Sequence, residues 1–149
     1  MIQAMEEGFS VADRVQIEEL YARHAWALDT ADVDGLVELY TEDAVIDDVG
    51  SGRFEGAGAA RRFAEAARDD PDFRGRQHWS GHTRVVRDGA RCRVTAFGLA
   101  AQLHSSGATF LPWLGYTEDV LVAPDGVWLF AERRFRRWEG SVLSGFRGR

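Results

Sequence analysis

The second half of the sequence is a succession of long β-forming segments separated by short turns. The segments cover residues 76–87, 91–104, 109–123 and 127–138, and each turn contains a glycine. Turns this short join strands that run antiparallel to each other. The chain is therefore predicted to form a meander of four long antiparallel strands, with a bend or bulge at Gly98 in the second of them.

The first half is predicted to be mainly helical. Ser10 and Asp13 indicate a helix start, because a hydroxyl and a carboxylate three residues apart can bind free amide groups of the first turn. Apolar residues then recur at helical spacing as far as Leu28, which gives this helix one inward face. Two further helices are predicted at residues 32–40 and 57–68, and two short strands at residues 44–49 and 53–55.

Helices followed by a run of antiparallel strands predict an α+β fold. We expect one domain, because 149 residues are enough to bury a single core, with residues 1–9 and 140–149 as tails. Long strands joined by tight turns can curl, and three helices can close the open side. An apolar pocket between the sheet and the helices would then be the natural ligand site.

The composition excludes several classes of partner. The net charge of −6 argues against nucleic acid, since phosphate contacts need a basic surface. No apolar run approaches the ~20 residues that a membrane span requires. The N-terminal segment lacks the basic and apolar regions of a signal peptide. We therefore expect a cytoplasmic protein that binds neither nucleic acid nor membranes.

The reactive side chains are few in kind. The single Cys92 excludes an intrachain disulfide and any multi-cysteine metal site, and its place in a predicted strand indicates a core thiol. All 18 basic residues are Arg, which excludes lysine Schiff-base chemistry. Any cation that stabilises an anion must then be Arg or His. No metal-ligand cluster or phosphate-binding loop is present, so neither a metal nor a cofactor is expected.

Four polar side chains lie within or beside apolar rows. His24 falls inside the inward stripe of the first helix, and Asp29 lies at its flank near the helix end. His78 lies on the first long strand, and an unbroken strand would point His82 to the same face. Arg133 is predicted to share a face with apolar residues of the last strand: Val127, Leu129, Ala131 and Phe135.

Each of these four residues also has a purely structural explanation. A buried histidine is commonly a hydrogen-bonded core residue, and a carboxylate near a helix end is commonly a cap or a surface group. Arg133 could lie where the last strand frays towards solvent, because Arg is rarely fully buried. Taken singly, none of the four establishes a site.

Several stretches of the sequence resemble SnoaL-like proteins of the NTF2-like superfamily. They are Tyr21-Ala-Arg-His-Ala-Trp-Ala-Leu-Asp29, Asp32-Val-Asp-Gly-Leu36, Tyr40-Thr-Glu-Asp-Ala-Val-Ile46, Gln77-His78-Trp79 and Asp125-Gly-Val-Trp-Leu-Phe130. The resemblance implies a cone-shaped α+β barrel around a deep pocket. It also implies a homo-oligomer, a dimer or trimer formed through the outer face of the sheet.

The most similar catalytic patterns are those of scytalone dehydratase, bile-acid dehydratase and hexachlorocyclohexane dehydrochlorinase. In these enzymes an Asp at the end of the first helix orients a His that removes a proton, and Asp29 and His78 stand at these positions. The dehydrochlorinase also has a basic residue five positions before the Asp and an Arg in the last strand. His24 and Arg133 stand there, so the resemblance implies that they stabilise developing negative charge.

The resemblance to scytalone dehydratase is incomplete at the substrate. That enzyme uses two tyrosines to polarise a carbonyl, and Leu28 and Asp48 occupy the matching positions here. Tyr116 or His104 could substitute for them. Scytalone itself is therefore not the expected substrate. The expected substrate-binding residues, including aromatic walls for a flat or polycyclic molecule, are Trp79, Tyr116, Trp113, Asp48, Phe97 and His104.

The predicted function is a cofactor-independent lyase or isomerase that acts on a hydrophobic, cyclic or polyketide-like molecule. Dehydration is the first expectation, and isomerisation or polyketide cyclisation begins with the same proton abstraction. Two other classes stay open. If the protein binds a ligand without catalysing a reaction, we expect a cavity in which Asp29 and His78 do not touch. If the protein is a partner subunit, like the small subunit of ring-hydroxylating dioxygenases, we expect His78 to face solvent.

Overall fold

The computed structural model describes residues 9–139, which form three α-helices and six strands. The helices are α1 (Val11–Asp29), α2 (Val33–Val37) and α3 (Ala59–Asp69), and a short 3₁₀ turn follows at Pro71–Phe73. The strands are β1 (Tyr40–Asp48), β2 (Gly52–Glu55), β3 (Arg76–Asp88), β4 (Arg91–Leu103), β5 (Thr109–Val122) and β6 (Leu129–Arg137).

The six strands form one sheet in the order β2-β1-β6-β5-β4-β3, and the helices pack on one of its faces. Only the β1–β6 pair is parallel, so the sheet is mostly antiparallel. The predicted α+β class, with three helices on a mostly antiparallel sheet, is confirmed. The strands do not close into a complete barrel, because β2 and β3 lie at two separate edges of an open sheet.

The start of α1 is stabilised by the predicted reciprocal cap. The Asp13 amide donates to the Ser10 hydroxyl over 3.0 Å, and the Ser10 amide donates to the Asp13 carboxylate over 2.9 Å. The other carboxylate oxygen of Asp13 accepts from the Trp128 indole over 3.0 Å, which ties the helix start to the approach to β6. The buried face of α1 consists of Ile17, Leu20, Tyr21, His24, Ala27 and Leu28.

The second helix is shorter than predicted. It ends at Val37, and Tyr40 already belongs to β1. The cause is tertiary: Tyr40 pairs with Phe130 of β6, and the Phe130 amide donates to the Leu39 carbonyl over 2.9 Å. Pairing with a distant strand therefore overrides the local helical pattern.

A bulge in β3 separates the two histidines that an unbroken strand would align. Gly81 lies opposite Phe97 and Arg84 lies opposite Thr95, so two residues of β3 oppose one of β4. His82, inside this bulge, has a left-handed φ of 54°. Its ring lies 5.8 Å from that of Phe97 on the outer face of the sheet. The prediction that His82 shares a face with His78 is wrong.

A second bulge, in β6, makes the residues that face the core differ from the predicted set. Val120 pairs with Glu132 and Leu121 pairs with Phe130, so Ala131 has no residue opposite it. A bulge shifts the alternation of side chains by one residue. Phe130 and Arg133 therefore both point inward, whereas Val127 is exposed and Leu129 and Ala131 are only partly buried.

Gly98 has a packing role, and the bulge that the sequence predicts in β4 lies two residues beyond it. The β3–β4 and β4–β5 registers run unbroken across it, and the irregularity of β4 lies between Ala100 and Gln102. A Cβ on Gly98 would lie 2.5 Å from the Trp113 ring. The glycine thus leaves room for an indole on the inner face of the sheet.

The core lies between the helices and the inner face of the sheet and includes the thiol of Cys92. Burial raises the pKa of this thiol to about 11, which agrees with the predicted core role. The predicted tails lie outside the described residues, except for Phe9, whose ring centroid is 6.0 Å from that of Trp128. None of the helices within residues 9–139 is long and apolar enough to cross a membrane.

Candidate active site

The structure brings Asp29 and His78 together at the junction of α1 and β3. The Asp29 carboxylate lies 2.5 Å from the His78 ring Nδ1, and its other oxygen accepts the His78 backbone N–H over 2.7 Å. Both side chains are largely buried, at 16% and 13% exposure. One carboxylate therefore holds both the strand and the ring of His78.

This contact determines which His78 nitrogen is free. An ionised carboxylate can only accept hydrogen bonds, so it favours the tautomer with the proton on Nδ1 and the lone pair on Nε2. The Nε2 atom makes no hydrogen bond to any residue between 9 and 139. Phe73 stacks against the imidazole at 5.9 Å and 25°, which further restricts the ring.

His78 forms part of the wall of a cavity of about 120 Å³ between the sheet and the helices. Most of the wall is apolar or aromatic, and three charged residues, Asp48, Arg76 and Arg137, complete it. The larger apolar contributors are Leu28, Phe63, Phe73, Pro112, Trp113 and Phe135. The cavity therefore combines one oriented histidine with apolar surface and a few charges, as small-molecule sites generally do.

The two cavity arginines were not among the predicted site residues. Arg76 precedes His78 by two positions and Arg137 follows Phe135 by two, so each shares the inward face of its strand. The alternation of inward and outward side chains along β3 and at the end of β6 could have predicted that both arginines point inward. The tertiary contacts were needed to show that the two strand ends border the same cavity.

A second group of polar side chains is buried behind this cavity. The hydroxyls of Tyr21 and Thr117 both donate to one oxygen of Asp119, the latter over 2.8 Å. The guanidinium of Arg133 lies 3.8 Å from the same oxygen. Its carbon also lies 4.4–4.9 Å from the ring centres of Tyr21, Phe130 and Phe135. Arg133 is thus a core residue rather than the end of a fraying strand.

Hydrogen bonding in this buried group is incomplete. Nε and Nη1 of Arg133 and Oδ1 of Asp119 have no hydrogen-bond partner among the described residues. Burial raises the pKa of Asp119, and the charge of Arg133 opposes that shift. Burial and then the Asp119 charge raise the pKa of Tyr21. The group therefore holds a buried cation with only one nearby carboxylate.

His24 is buried beside this group, against Tyr40. Its Nε2 is 2.6 Å from the Tyr40 hydroxyl, and the residue is 2% exposed. Burial, followed by the charges of Arg133 and His78, lowers the pKa of His24 well below its usual value. This shift disfavours the cationic form of His24 that the resemblance implies.

Phe135 separates the two groups. It lines the cavity on one side, and on the other its ring centre lies 4.9 Å from the Arg133 guanidinium carbon. Neither Arg133 nor His24 belongs to the described wall of the cavity. The structure therefore unites Asp29 with His78 and places the other two predicted catalytic residues behind an aromatic wall.

The predicted substrate-binding residues divide between the two faces of the sheet. Asp48 and Trp113 line the cavity with His78. Trp79, Phe97 and Tyr116 point to the outer face, so their predicted role in this cavity is wrong. The reason is alternation: Trp79 follows the inward His78, and Phe97 and Tyr116 lie opposite each other in an outward row.

His104 also lies away from the cavity. It follows β4 in the turn to β5, where its Nδ1 is 2.9 Å from the Ser106 hydroxyl. Its predicted role as a substitute for a substrate-binding tyrosine is therefore wrong, because the strand carries it beyond the site. Within residues 9–139, no group of three or more His, Cys, Asp or Glu side chains is placed to hold a metal ion.

The outer face of the sheet carries a broad apolar groove of about 560 Å³. Trp79, Phe97 and Leu114 are 63%, 54% and 53% exposed there. Leu99 and Trp138 complete the apolar lining, and His82 borders it. Exposed apolar surfaces of this extent are typical of interaction sites.

Solved structures with the same fold come from several bacteria. An Asp-to-Asn variant of Rv3472, a protein of unknown function from Mycobacterium tuberculosis, has a TM-score of 0.74 at 25% identity, covering 86% of this chain and 77% of its own. An NTF2-like protein with a cystatin-like fold from Novosphingobium aromaticivorans has a TM-score of 0.76 at 22% identity, covering 93% and 90%. A candidate scytalone dehydratase from the same species has a TM-score of 0.72 at 21% identity, covering 85% of each chain.

These similarities establish the NTF2-like fold, and the sequence comparison establishes the family. No curated protein sequence matches the chain. The family model of the SnoaL-like domain matches residues 10–134, which contain the whole of α1 and both members of the Asp29–His78 pair. The protein therefore belongs to the SnoaL-like family.

Proposed function

We propose that the protein is a lyase or isomerase in which His78 removes a carbon-bound proton without the help of a cofactor. The observation that carries this proposal is the 2.5 Å contact between Asp29 and His78 beside a cavity. A base must lie within hydrogen-bond reach of its proton and be held in the correct tautomer. The Asp29 contact supports the second condition, and the position of His78 in the wall supports the first.

The reaction begins when Nε2 of His78 accepts a proton from a carbon next to an electron-withdrawing group. The imidazolium that forms keeps its Nδ1–H bond to the Asp29 carboxylate, which stabilises the new positive charge. General-base catalysis of this kind contributes about 10²–10⁴-fold. In dehydration, which we place first, the carbanion expels a hydroxyl group from the neighbouring carbon, and this group leaves as water with the proton from the imidazolium. A double-bond shift or an aldol-type ring closure can follow the same proton abstraction.

The cavity restricts the part of the substrate that reacts. Its volume of about 120 Å³ is below the ~300–1,000 Å³ of typical drug-sized sites. An apolar cavity of about 150 Å³ accepts benzene. We therefore propose that one ring of the substrate enters beside His78, and this replaces the earlier expectation of a polycyclic molecule lying flat between tryptophans.

Arg133 and His24 receive a different role in this proposal. Both lie behind Phe135, so a substrate that stays in the cavity touches neither of them. We propose that they maintain the shape of the wall instead of stabilising the substrate directly. The charged residues that share the cavity wall with His78 are Arg76, Arg137 and Asp48.

The first test measures proton abstraction directly with one-ring methyl ketones, including 4-acetylbenzoate and 4-acetylbenzamide. In D₂O, the wild-type protein is expected to accelerate exchange of the acetyl hydrogens, as followed by proton NMR. Asp29→Asn should lower the enzymatic rate by about 10²-fold or more, because the imidazole loses its orienting charge. His78→Gln should abolish it.

Asp34→Asn is the matched control, because Asp34 is an exposed carboxylate that pairs with Arg61 over 2.8 Å away from the cavity. It should exchange at the wild-type rate. Exchange no faster than in buffer across the ketones, or an unchanged rate in Asp29→Asn, would contradict the proposal. Ketones that bind without exchanging would favour a ligand-binding protein.

We also propose that the protein forms a homo-oligomer through the outer face of its sheet. The support is the apolar groove around Trp79, Phe97 and Leu114, whose side chains are all more than half exposed. A second copy of the chain presents the same apolar surface, and a two-fold arrangement would cover both.

A further inference from the structure

We propose that the substrate carries a carboxylate group, which Arg76 and Arg137 bind in the His78 cavity. This inference rests on the proposed function in one respect: it takes this cavity to be the substrate site. The starting observation is that two of the three charged residues in the cavity wall are arginines, in a protein whose net charge is −6. A local excess of positive charge in an acidic protein favours an anionic ligand.

Arg76 is held in place by neutral groups. Its Nε donates to the Gln102 side-chain oxygen over 3.1 Å, and the Gln102 amide nitrogen donates to the carbonyls of Asp72 and Arg74, both over 2.9 Å. The guanidinium also lies 4.4 Å from the centre of the Phe73 ring. This arrangement orients Arg76 without neutralising its charge.

The remaining donors of Arg76 are available to a ligand. Neither Nη atom makes a hydrogen bond or an ion pair with another residue of the described chain. A guanidinium held through Nε presents its terminal N–H groups in a planar fork, which matches the two oxygens of a carboxylate.

Arg137 differs from the arginines that precede it on β6. Arg134 pairs with Glu132 over 2.6 Å, and Arg136 pairs with Asp47 over 3.1 Å. Arg137 lines the cavity, and its side chain forms no ion pair or hydrogen bond with any residue from 9 to 139. Unlike Arg134 and Arg136, Arg137 therefore faces the cavity with a charge that no nearby carboxylate among these residues compensates.

Asp48 does not cancel the two charges. One of its oxygens accepts the Gly50 amide over 3.2 Å, and no ion pair within 4.0 Å joins it to Arg76 or Arg137. Its negative charge disfavours an anion on its own side of the cavity. The carboxylate would therefore be directed to the arginines, which fixes how the ring presents its reactive carbon to His78.

The test compares 4-acetylbenzoate with 4-acetylbenzamide, which have the same shape and differ in charge. We expect wild-type protein to bind the acid about tenfold more tightly, by ligand-observed NMR titration, because a charge-assisted contact exceeds a neutral one by roughly that factor. Arg137→Gln and Arg76→Gln should each remove most of this preference, because they should weaken binding of the acid much more than binding of the amide. The preference should also weaken as salt is added.

Arg134→Gln is the control, because Arg134 is paired with Glu132 and is not part of the cavity wall. It should retain the wild-type preference. Arg137→Gln guards against a folding artefact, since it removes no side-chain hydrogen bond or ion pair within the described chain. Equal binding of the two probes, absence of binding by both, or equal loss of both in the variants would overturn the inference.

Exchange in D₂O separates this inference from the proposed function. Preferential binding of the acid without exchange would retain the carboxylate site and remove the catalytic proposal. Exchange of both probes with equal affinity would retain the base and remove the carboxylate site.

Discussion

At the scale of single residues, His24 shows how a buried side chain can make stability depend on pH. It is 2% exposed and hydrogen-bonded to Tyr40, and the elements around it contribute Arg133, His78 and Tyr40 as its charged or titratable neighbours. Its pKa lies well below 6.5 in the folded state. An unfolded chain exposes His24, which then binds a proton below about pH 6.5.

The sign of the effect follows from these two states. Below about pH 6.5 the unfolded chain binds a proton that the folded chain does not, so the free energy of unfolding falls on acidification by up to about 1.4 kcal/mol per pH unit. A His24→Gln variant lacks this contribution. Urea unfolding between about pH 7.5 and 5 should therefore show a difference between wild type and variant that is constant above pH 6.5 and changes below it.

Asp119 makes an opposite contribution, because its raised pKa favours the folded state in acid. Both proteins contain Asp119, so its contribution cancels when the free energy of unfolding of the variant is subtracted from that of the wild type. Parallel stability curves for the two proteins would mean that His24 accepts a proton in the folded state. The lowered pKa would then be wrong.

At the scale of secondary-structure elements, the bulge in β6 has the largest consequence. By skipping Ala131 it turns Arg133 inward, where the residue lies opposite Asp119 of β5. The pair buries a charge of each sign, and the aromatic rings of α1 and β6 surround the guanidinium. Buried pairs stabilise little in total, but removing one partner leaves the other uncompensated.

Arg133→Met should accordingly destabilise the fold by about 3–5 kcal/mol, because Asp119 loses its cation. Adding Asp119→Asn to that variant should restore part of the loss, since the uncompensated charge is then gone. Urea unfolding of the two single variants and the double variant gives the coupling between them. An unchanged stability in Arg133→Met would show that the guanidinium is not buried as the structure places it.

At the scale of the whole molecule, the two faces of the sheet differ in kind. The inner face carries His78 and the small cavity, and the outer face carries the exposed apolar groove. Alternation along β3 and β4 sends neighbouring residues such as His78 and Trp79 to opposite faces. A substitution on the outer face should therefore affect the proposed oligomer without affecting the cavity of His78.

Trp79→Arg should dissociate the proposed oligomer and leave exchange at His78 within a few fold of wild type, because a charge in an apolar interface must lose its hydration. Light scattering during size-exclusion chromatography gives the molar mass in solution. The control is Val15→Arg, which places the same charge on the 62% exposed position of α1. A wild-type protein that runs as a single chain would contradict the proposed assembly.

Much of the element order could be predicted because its causes are local. The Ser10–Asp13 cap, the helical stripe to Leu28 and the glycine turns depend on residues a few positions apart, and all recur in the structure. The end of α2 could not be predicted, since it depends on Phe130 pairing with β1. The open sheet edges likewise result from how far the strands curl.

The sequence by itself determined the α+β class, the family resemblance and the Asp29–His78 pair, because these rest on local patterns and on motifs at matching positions. Only the tertiary structure decided which side chains share the cavity. A one-residue bulge reverses the side-chain alternation of a strand, and it arises from pairing with a neighbour rather than from local preference. For that reason His82 turned outward and Arg133 became a core residue. Arg76 and Arg137 keep the ordinary alternation of their strands, and only tertiary packing brings those two strand ends to the cavity of His78.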